Sequence, residues 1–389
     1  MPEPEIRPVI LGSFGPPALA CIRSWGRHGY KPGMVCIRSE EQGLPASRYL
    51  SAFASIHPRA LYTAEGLETI SSFLQEFRAS GIIAINEDVS CWLSDTLPSS
   101  CKIPVWAPAS PIIKSLHSKL KQLEVARRVG FDILPTYLID SNLETVASIP
   151  ESAFPLCLRP DDPKSISPTF KVQLINARDD LFRFVTSFER MEKQLVGQPF
   201  ANLPNLVIHG ARSAGGRPIG LHAFVVERKF QGVTLTIRSA ELDDLLRQRC
   251  IQFVEAFGLI GNYHFEFLLD RARGKTYFLE INGRLGGTTA KVYICGYDEP
   301  YIALQSYGIC ESAPQAVRDC IVSSKHALIK NAIYAIRNKL TLLDYPKASK
   351  GSIILRNLYG FLRYRDEVLM LSDIRGSMAF YRTLLNGRG

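Results

Sequence analysis

Several familiar signals are missing from this sequence of 389 residues. No run of about eighteen apolar residues is present, which argues against a transmembrane helix. The first residues, MPEPEIRP, combine acids with prolines and contain no apolar stretch, so they do not resemble a secretory signal. We therefore expect a cytoplasmic protein without a membrane-spanning segment.

Paired cysteines and a complete dinucleotide motif are also missing. The nine cysteines are scattered singly, with no C-x-x-C pair, so neither a disulfide framework nor a zinc site is indicated. Most lie in apolar runs such as LCLR and MVCI, which is typical of small buried side chains. Gly12 and Gly15 do not complete a G-x-G-x-x-G motif, which argues against an NAD site.

The composition is that of a globular protein, with 46% hydrophobic and 10% aromatic residues. The segments RPVILG, GSFGPP, ALACIRSWGRHG and GMVCI predict a strand, a turn, a helix and a strand in that order. The alternation continues to about residue 97, which predicts a parallel sheet covered by helices. The proline-rich stretch at 102–111 then predicts a domain boundary.

Positive charge is concentrated at the C-terminal end. The net charge is +9, and residues 321–389 hold 12 Lys or Arg against 4 Asp or Glu in a segment predicted to be mainly helical. This bias suits an anionic ligand, nucleic acid or an acidic membrane surface, and a solvated helical tail is the simpler interpretation. Because no nucleic-acid-binding motif is present, we expect no nucleic-acid partner.

The most informative segment is a predicted β-hairpin with the strands HFEFLLD and TYFLEIN, joined by the polar turn RARGK. Side chains alternate between the two faces of a strand. Glu280 and Asn282 are therefore predicted on one face of the second strand. Tyr277, Leu279 and Ile281 are predicted on the other.

The first strand of the hairpin adds a second acid. Glu266 is predicted to point away from its neighbours Phe265 and Phe267, toward a polar face. Two carboxylates and an amide on adjacent strands form an oxygen cage suited to Mg²⁺, with nucleotide phosphates completing it. Arg284 follows two residues after the amide and is expected to neutralise phosphate charge during transfer.

These strings resemble the metal-binding signature of the ATP-grasp superfamily: F-E-F-L-L-D, then F-L-E-I-N-G-R, with fourteen positions between the two acids. The resemblance implies that Glu266, Glu280 and Asn282 bind Mg²⁺ (or Mn²⁺) and that Arg284 assists catalysis. One departure is visible, because Gly283 stands where the family usually has proline.

Other segments extend the resemblance. HSKLKQLEVARRVGFDILPT is similar to the helix that begins near a nucleotide-contacting lysine, which implies this role for Lys119. FPLCLRP resembles the strand whose basic residue reaches the phosphates, here Arg159. VERKF resembles a basic strand of the triphosphate or substrate pocket, which implies a catalytic role for Arg228 and involves Lys229 as a second candidate.

The expected nucleotide contacts include two further residues. The phosphate-covering loop DDPKSISPTFK has no glycine, and its Lys171 matches a lysine that follows this loop in some relatives. Gln198 and Pro199 stand where the family usually has Gln-Glu for the adenine and ribose. The resemblance therefore implies nucleotide binding by Lys171 and Gln198, without one of the ribose-binding carboxylates.

The overall likeness is to carbamoyl-phosphate-synthase-like carboxylate–amine ligases, including D-aspartate ligases. It implies an α/β protein with an N-terminal pre-ATP-grasp parallel-sheet domain (1–112). An ATP-grasp α+β domain (113–315, lid about 150–235) and a basic, mainly helical C-terminal region (316–389) follow.

The implied activity is carbon–nitrogen ligation. A small-molecule carboxylate becomes an acyl phosphate at the expense of ATP, and an amine, or alternatively a thiol, then displaces phosphate. Amino acids are candidate substrates, and a chain of this kind is compatible with a homodimer. The alternative is an ATP-binding regulatory or scaffold protein with an ATP-grasp fold but little turnover.

Some single residues are weaker candidates. Residues 86–88 end a predicted strand, where ligand crevices lie in open α/β sheets. The amides and hydroxyls of residues 286–289 are candidates for binding a substrate carboxylate. His209 and His264 are candidate bases, although a single histidine on a strand is more often structural.

Overall fold

The computed structural model describes residues 5–311 and 315–386. The first sheet is parallel, as predicted, with the strand order β3-β2-β1-β4. Its strands are β1 (Pro8–Gly12), β2 (Gly33–Ile37), β3 (Ala52–Ile56) and β4 (Gly81–Ala84). The helices α1 (Pro16–Arg27), α2 (Ala64–Glu76) and α3 (Glu87–Ser100) connect this part of the chain. Proline in the first turn of α1 and the Asn86 cap of α3 explain where these helices start.

Two helices lead out of the parallel sheet, α4 (Ser110–His117) and α5 (Lys119–Arg128). Ser118 separates them and caps α5, because its hydroxyl oxygen accepts from the amide of Lys121. Asp161, from a distant loop, accepts from the Ser118 hydroxyl at 2.7 Å and from the Leu120 amide at 2.9 Å. These bonds satisfy the free amides at the start of α5.

A small antiparallel sheet follows, with the strand order β5-β10-β6-β8, and a two-stranded ribbon pairs β7 with β9. The strands are β5 (Tyr137–Ile139), β6 (Leu156–Pro160), β7 (Ile166–Ser167), β8 (Gln173–Ile175), β9 (Arg190–Met191) and β10 (Leu195–Pro199). Helices α6 (Leu143–Ala147) and α7 (Arg178–Thr186) belong to the same unit. Leu158, Leu181 and Leu195 are fully buried between these elements, so the unit has its own core.

The central sheet has seven strands in the order β15-β14-β11-β12-β13-β16-β17. They are β11 (Asn205–Arg212), β12 (Pro218–Phe230), β13 (Val233–Ala240), β14 (Gly261–Asp270), β15 (Lys275–Asn282), β16 (Ile321–Ser323) and β17 (Arg365–Asp366). Helix α8 (Asp244–Phe257) ends at Gly258, whose φ of +63° suits glycine. Phe253 of α8 packs edge-on against Phe265 of β14, with ring centroids 5.3 Å apart.

The remaining helices are α9 (Thr289–Ile294), α10 (Glu299–Ser306), α11 (Lys325–Ile336), α12 (Lys350–Arg363) and α13 (Ile374–Asn386). The C-terminal region is therefore mainly helical, as predicted, and it also adds β16 and β17 to the central sheet. Within the ranges that the structure describes, no helix is both long and apolar enough to cross a membrane.

A buried arginine joins the two ends of the chain. Arg23 of α1 is 1% exposed, and its Nε lies 2.8 Å from Oδ2 of Asp373. Its other nitrogens donate to the Val368 carbonyl at 2.7 Å and to the Ser377 hydroxyl at 2.9 Å. Because the guanidinium is paired and hydrogen-bonded, its burial is tolerated, and it fixes the C-terminal segment against α1.

The predicted hairpin is confirmed as the antiparallel pair β14–β15, with one irregularity. Glu266 pairs with Glu280, whereas the next residue, Phe267, pairs with Phe278. Leu279 is therefore an extra residue on β15, which is a β-bulge.

The bulge shifts the alternation of side chains by one residue. Phe278 and Ile281 are three residues apart, yet both lie in the core, whereas Tyr277 and Leu279 are only half-buried. The predicted grouping of Tyr277 and Leu279 with Ile281 is therefore wrong beyond the bulge. For this reason, Glu280 faces the cleft although Phe278, two residues earlier on the same strand, faces the core.

Candidate active site

The centre of the candidate site is Glu280 on β15, which lies between two cations. Its Oε2 is 2.6 Å from Nζ of Lys119, the first residue of α5. The same oxygen is 3.9 Å from Nη1 of Arg159 on β6. Burial alone would raise the pKa of Glu280, but the two cations and the hydrogen bonds from Lys119 and Asn282 hold it well below its usual value.

Glu266 faces Glu280 across the β14–β15 ladder but has few partners of its own. The Asn205 side chain donates to its Oε2 at 3.3 Å, and Nε2 of His264 lies 4.0 Å from its Oε1. No Lys or Arg in the described residues forms an ion pair with it. Removal from water, followed by the charge of Glu280, raises the pKa of Glu266.

Asn282 completes this set of oxygen donors. Its side-chain amide donates to Oε1 of Glu280 at 3.3 Å, and it pairs with His264 on the neighbouring strand. Burial lowers the pKa of His264 well below its ordinary value, so this histidine adds no positive charge at neutral pH. Glu266 is therefore the member of the pair that has no cation in direct contact among the described residues, and a cation beside it would be favourable.

The donor set fits Mg²⁺ bound together with phosphate. Nowhere in residues 5–311 and 315–386 do three or more His, Cys, Asp or Glu side chains form a metal-holding cluster. The residues Glu266, Glu280 and Asn282 supply two carboxylates and an amide oxygen, which are hard ligands. Mg²⁺ is usually bound by one or two carboxylates together with substrate phosphates, so this smaller set suffices.

Arg159 is held in place by a second layer of contacts. Its Nη2 donates to Oε1 of Gln198 at 2.7 Å, and its Nη1 donates to the carbonyl of Leu279, the bulge residue, at 3.3 Å. Gln198 is 3% exposed and donates in turn to the Thr136 hydroxyl at 3.0 Å. The structure thus places Gln198 behind Arg159, as a residue that positions it.

Glu87, at the start of α3, joins the parallel sheet unit to the strand that carries the acids. Its Oε1 accepts from the amide of Gly283 at 3.0 Å. Its Oε2 lies 3.8 Å from Nε of Arg284 and 3.8 Å from Nε2 of His117. A proline at position 283 has no N–H, so the glycine found here permits a hydrogen bond that the usual family residue excludes.

The basic strand β12 presents its two cations to different surroundings. Lys229 donates to the Leu203 carbonyl at 2.8 Å and to Oδ1 of Asn205 at 3.1 Å, beside Glu266. Burial lowers the pKa of Lys229 to about 8, and the charge of Glu266 opposes this shift. Lys229 therefore lies next to the acidic pair.

Arg228 lies elsewhere. Its Nη2 donates to Oδ1 of Asn357 on α12 at 2.6 Å and to Oδ1 of Asn331 on α11 at 3.2 Å. The structure separates this guanidinium from the acidic pair and connects it to the C-terminal helices. We accordingly replace Arg228 by Lys229 among the candidate catalytic residues.

The glycine-free loop between β6 and β8 is anchored at its start and open at its end. The buried Asp161 caps α5, and Lys164 forms an exposed ion pair of 2.9 Å with Asp88 of α3. Lys171 is exposed and lies on the loop before β8. Its expected contact with a nucleotide stays a prediction.

A network of buried hydrogen bonds surrounds His209, next to His264 on β14. His209 is fully buried, with Nδ1 2.9 Å from Oε1 of Glu299 and Nε2 3.0 Å from Oγ1 of Thr288. The Thr289 hydroxyl donates to Oε2 of Glu299 at 2.6 Å, and His264 stacks on His209 at 5.5 Å. The structural interpretation of the two histidines fits these contacts.

These contacts correct the expectation that the hydroxyls of residues 286–289 bind a substrate carboxylate. The hydroxyls of Thr288 and Thr289 are used inside the protein, and the Gly286 amide donates to Oγ1 of Thr289 at 2.9 Å. They are therefore not available to a substrate carboxylate. Gly287 alone faces open space, because a Cβ there would meet no atom within 4 Å.

The sequence analysis did not single out Asn205 or Thr136. It named Lys229 only as a second candidate beside Arg228. Asn205 begins β11, and no spacing links it to the acids in the sequence. The one usable signal was VERKF, which contains both cations but does not say which of them faces the site.

Comparisons with known proteins agree with this geometry. The family model for the ATP-binding domain of the carbamoyl-phosphate synthase L chain matches residues 233–304, which include both acid-bearing strands. No curated protein matches the sequence directly.

Solved structures share most of the fold. One is the biotin carboxylase domain of Hydrogenobacter thermophilus 2-oxoglutarate carboxylase, a dimer with MgADP and bicarbonate (17% identity, TM-score 0.61, 81% of this chain and 73% of that chain). Another is the L-amino acid ligase of Bacillus licheniformis (16%, 0.55, 77% and 74%). A third is the N5-carboxyaminoimidazole synthetase of Staphylococcus aureus complexed with ADP (15%, 0.59, 81% and 81%).

At these identities the likeness concerns the fold. Together with the family match over residues 233–304, it agrees with the ATP-grasp resemblance that the sequence predicted.

Proposed function

We propose that this protein is an ATP-dependent carboxylate–amine ligase that forms an amide through an acyl phosphate. The observation that carries the proposal is the convergence of Lys119 and Arg159 on Glu280, with Glu266 directly opposite. Two cations from different elements and two acids from one hairpin meet where the small sheet faces the central sheet. The structural neighbours include an amino acid ligase and enzymes bound to ADP, which supports the assignment.

Nucleotide binding would exchange the partners of the two cations. In this structure, Lys119 and Arg159 both face Glu280. Lys119 is the first residue of α5, where the helix dipole disfavours a cation and favours an anion. Phosphate oxygens would engage the cations and the helix start, while Glu266, Glu280 and Asn282 would hold Mg²⁺, which offsets phosphate charge when bound.

The proposed chemistry has two steps. An oxygen of the substrate carboxylate attacks the γ-phosphorus, the bond to the ADP oxygen breaks, and an acyl phosphate forms. The amine nitrogen then attacks the acyl carbon, loses a proton and expels phosphate, leaving an amide. Such transfer needs positioning and charge stabilisation, which Lys119, Arg159 and Arg284 supply.

The small sheet and the loop at 161–171 form the proposed lid. An acyl phosphate hydrolyses in water, so the second step requires a closed site. The contact between Lys164 and Asp88 is exposed and therefore weak, which suits a loop that opens and closes. Arg284, held beside Glu87, is the proposed contact for the substrate carboxylate.

The test is phosphate release from MgATP with amino acids supplied singly and in pairs. Wild-type protein is compared with Glu280→Ala and with the control Asp244→Ala, which removes a carboxylate that is 95% exposed. We expect pair-dependent release that Glu280→Ala abolishes and the control retains. Intact MgATP binding without release for any pair would favour the regulatory alternative, and absence of ATP binding would refute the proposal.

A further inference from the structure

Helix α12 presents an apolar stripe to solvent. Leu355, Leu358, Tyr359 and Leu362 follow the i, i+3, i+4, i+7 spacing of one helix face and are 56% to 70% exposed. This spacing normally marks the face that a helix buries. The face that α12 does bury is different and is formed by Ile353, Asn357 and Gly360. The helix therefore has an outer apolar face that nothing in the described residues covers.

Basic residues border one side of this stripe, and acids are missing from it. Arg356 and Arg363 lie about 80–100° around the helix from Leu355, given about 100° per residue. Helices α11, α12 and α13 contain no Asp or Glu over their described residues. An apolar face bordered by Lys and Arg is the pattern of helices that lie in the plane of a membrane interface.

The C-terminal segment that contains the stripe exposes further large apolar side chains. Most of the large apolar side chains that are exposed in the described residues lie in 329–385, including Leu371 at 89% and Leu385 at 64%. Soluble monomers rarely expose extended apolar patches without a binding function. These side chains lie in the same segment that carries most of the excess positive charge of the chain.

Charge decides between possible occupants of the stripe. A second copy packed symmetrically would set Arg356 and Arg363 against the same residues, with no acid on the helix to offset them. A nucleic acid would satisfy the charges but would leave the leucines exposed, since its outer surface is phosphate. An anionic lipid surface satisfies both, because its headgroups pair with the cations and its acyl region takes the leucines.

We propose that α12 docks this protein on anionic membranes, with its axis parallel to the surface and the stripe Leu355, Leu358, Tyr359 and Leu362 inserted among the lipids. Arg356 and Arg363 bind the headgroups. The proposal does not depend on the ligase activity, since the stripe lies on the exposed face of α12 and the acids lie on β14 and β15.

The test is co-sedimentation of the full chain with vesicles of phosphatidylcholine alone or mixed equally with phosphatidylglycerol. We expect binding to the mixed vesicles that falls with salt, since exposed charges are screened. Leu355→Ser, Leu358→Ser and Leu362→Ser together should weaken binding by about tenfold or more. Each of Arg356→Gln and Arg363→Gln should weaken it about fivefold.

The matched control is Leu245→Ser on α8, an exposed leucine (53%) outside the C-terminal segment, which should bind like wild type. A Tyr359→Trp variant should show blue-shifted fluorescence with mixed vesicles only, which reports insertion separately from sedimentation. No binding to mixed vesicles, or binding that the triple serine variant retains, would overturn the proposal. A dimer in light scattering that the same variant converts to monomer would overturn it in favour of a second copy. Duplex-DNA binding that this variant retains, with no vesicle binding, would favour nucleic acid.

Discussion

The ion pairs at the two ends of the central sheet differ in their exposure to solvent. At β15, Glu280 is 25% exposed and Lys119 is 20% exposed, and both face a cleft open to solvent. Near β17, Lys291 and Glu367 are 4% and 3% exposed, with Nζ 2.7 Å from Oε2, and Ser324 also donates to Glu367. The first pair can exchange its partners for a ligand, whereas the second has a fixed partner set. The comparison separates groups kept for binding from groups kept for structure.

The largest expected effect breaks the buried pair. Glu367→Gln leaves the Lys291 ammonium buried without a counter-charge, so the free energy of unfolding should fall by about 3–5 kcal/mol. Urea unfolding followed by circular dichroism measures this. The double variant Lys291→Met with Glu367→Leu should recover part of the loss, and a decrease below about 1 kcal/mol in the single variant would contradict our description of this pair.

For the partly exposed pair Lys119–Glu280, we expect a large effect on activity and a small effect on stability. Glu280→Gln should lower phosphate release by about 10²–10³-fold, because it removes a carboxylate that would hold the Mg²⁺ bound to the phosphates. Its unfolding free energy should change by less than about 1 kcal/mol, since partly exposed ion pairs contribute little. Steady-state kinetics and urea unfolding on the same preparation test both statements. A stability loss as large as that of Glu367→Gln would remove the distinction.

The neighbours Arg228 and Lys229 sharpen the comparison within one strand. Lys229→Met should weaken MgATP binding about tenfold, as expected when a charge-assisted contact of about 1.5–3 kcal/mol is partly lost. Arg228→Met should leave the affinity within about twofold, and instead lower stability by about 1–3 kcal/mol, because Oδ1 of Asn357 loses its donor and Asn331 keeps only the bond from Asn357. Calorimetric titration of both variants decides whether Lys229 or Arg228 belongs to the site.

The smallest effect is a pH dependence. Lys229 has a folded-state pKa of about 8, below its ordinary value, so it is charged below pH 8 and becomes neutral above it. Affinity for MgATP should therefore fall several-fold between about pH 7 and pH 9, and Lys229→Arg should flatten the profile because arginine stays charged. Since the unfolded chain retains this proton to higher pH, the same group makes folding more favourable as pH rises above 8. An unchanged slope in Lys229→Arg would assign the effect to another group.

The sequence was sufficient where local pattern determines structure. Alternation and a polar turn predicted the β14–β15 hairpin, and the acids Glu266 and Glu280 do face each other across it. The parallel sheet at the N-terminal end followed from the alternation of strands and helices. The proximity of Lys119 and Arg159 to Glu280 came from the family resemblance, and no spacing in the sequence indicates it.

Other features depend on contacts that no local pattern records. Strand β12 is irregular between Val226 and Lys229, so alternation does not tell which of Arg228 and Lys229 faces the site. Asn205 approaches Glu266 only because β11 lies beside β14. The hydrogen bond from Gly283 to Glu87 joins the residue after β15 to the start of helix α3, and only the folded chain shows why a residue with an N–H is useful there.

The bulge at Leu279 limits how this hairpin can vary in length during evolution. After the bulge, the side chains of β15 alternate so that Glu280 faces the cleft. Before the bulge, they alternate so that Phe278 faces the core. Loss or gain of one residue within either stretch would exchange these destinations and place a phenylalanine among phosphates or a carboxylate in the core. Insertions and deletions are therefore tolerable only in the turn at 271–274, which is exposed and outside the ladder. Alignments of relatives should consequently place their gaps in this turn and keep the distance from Phe278 to Asn282 constant.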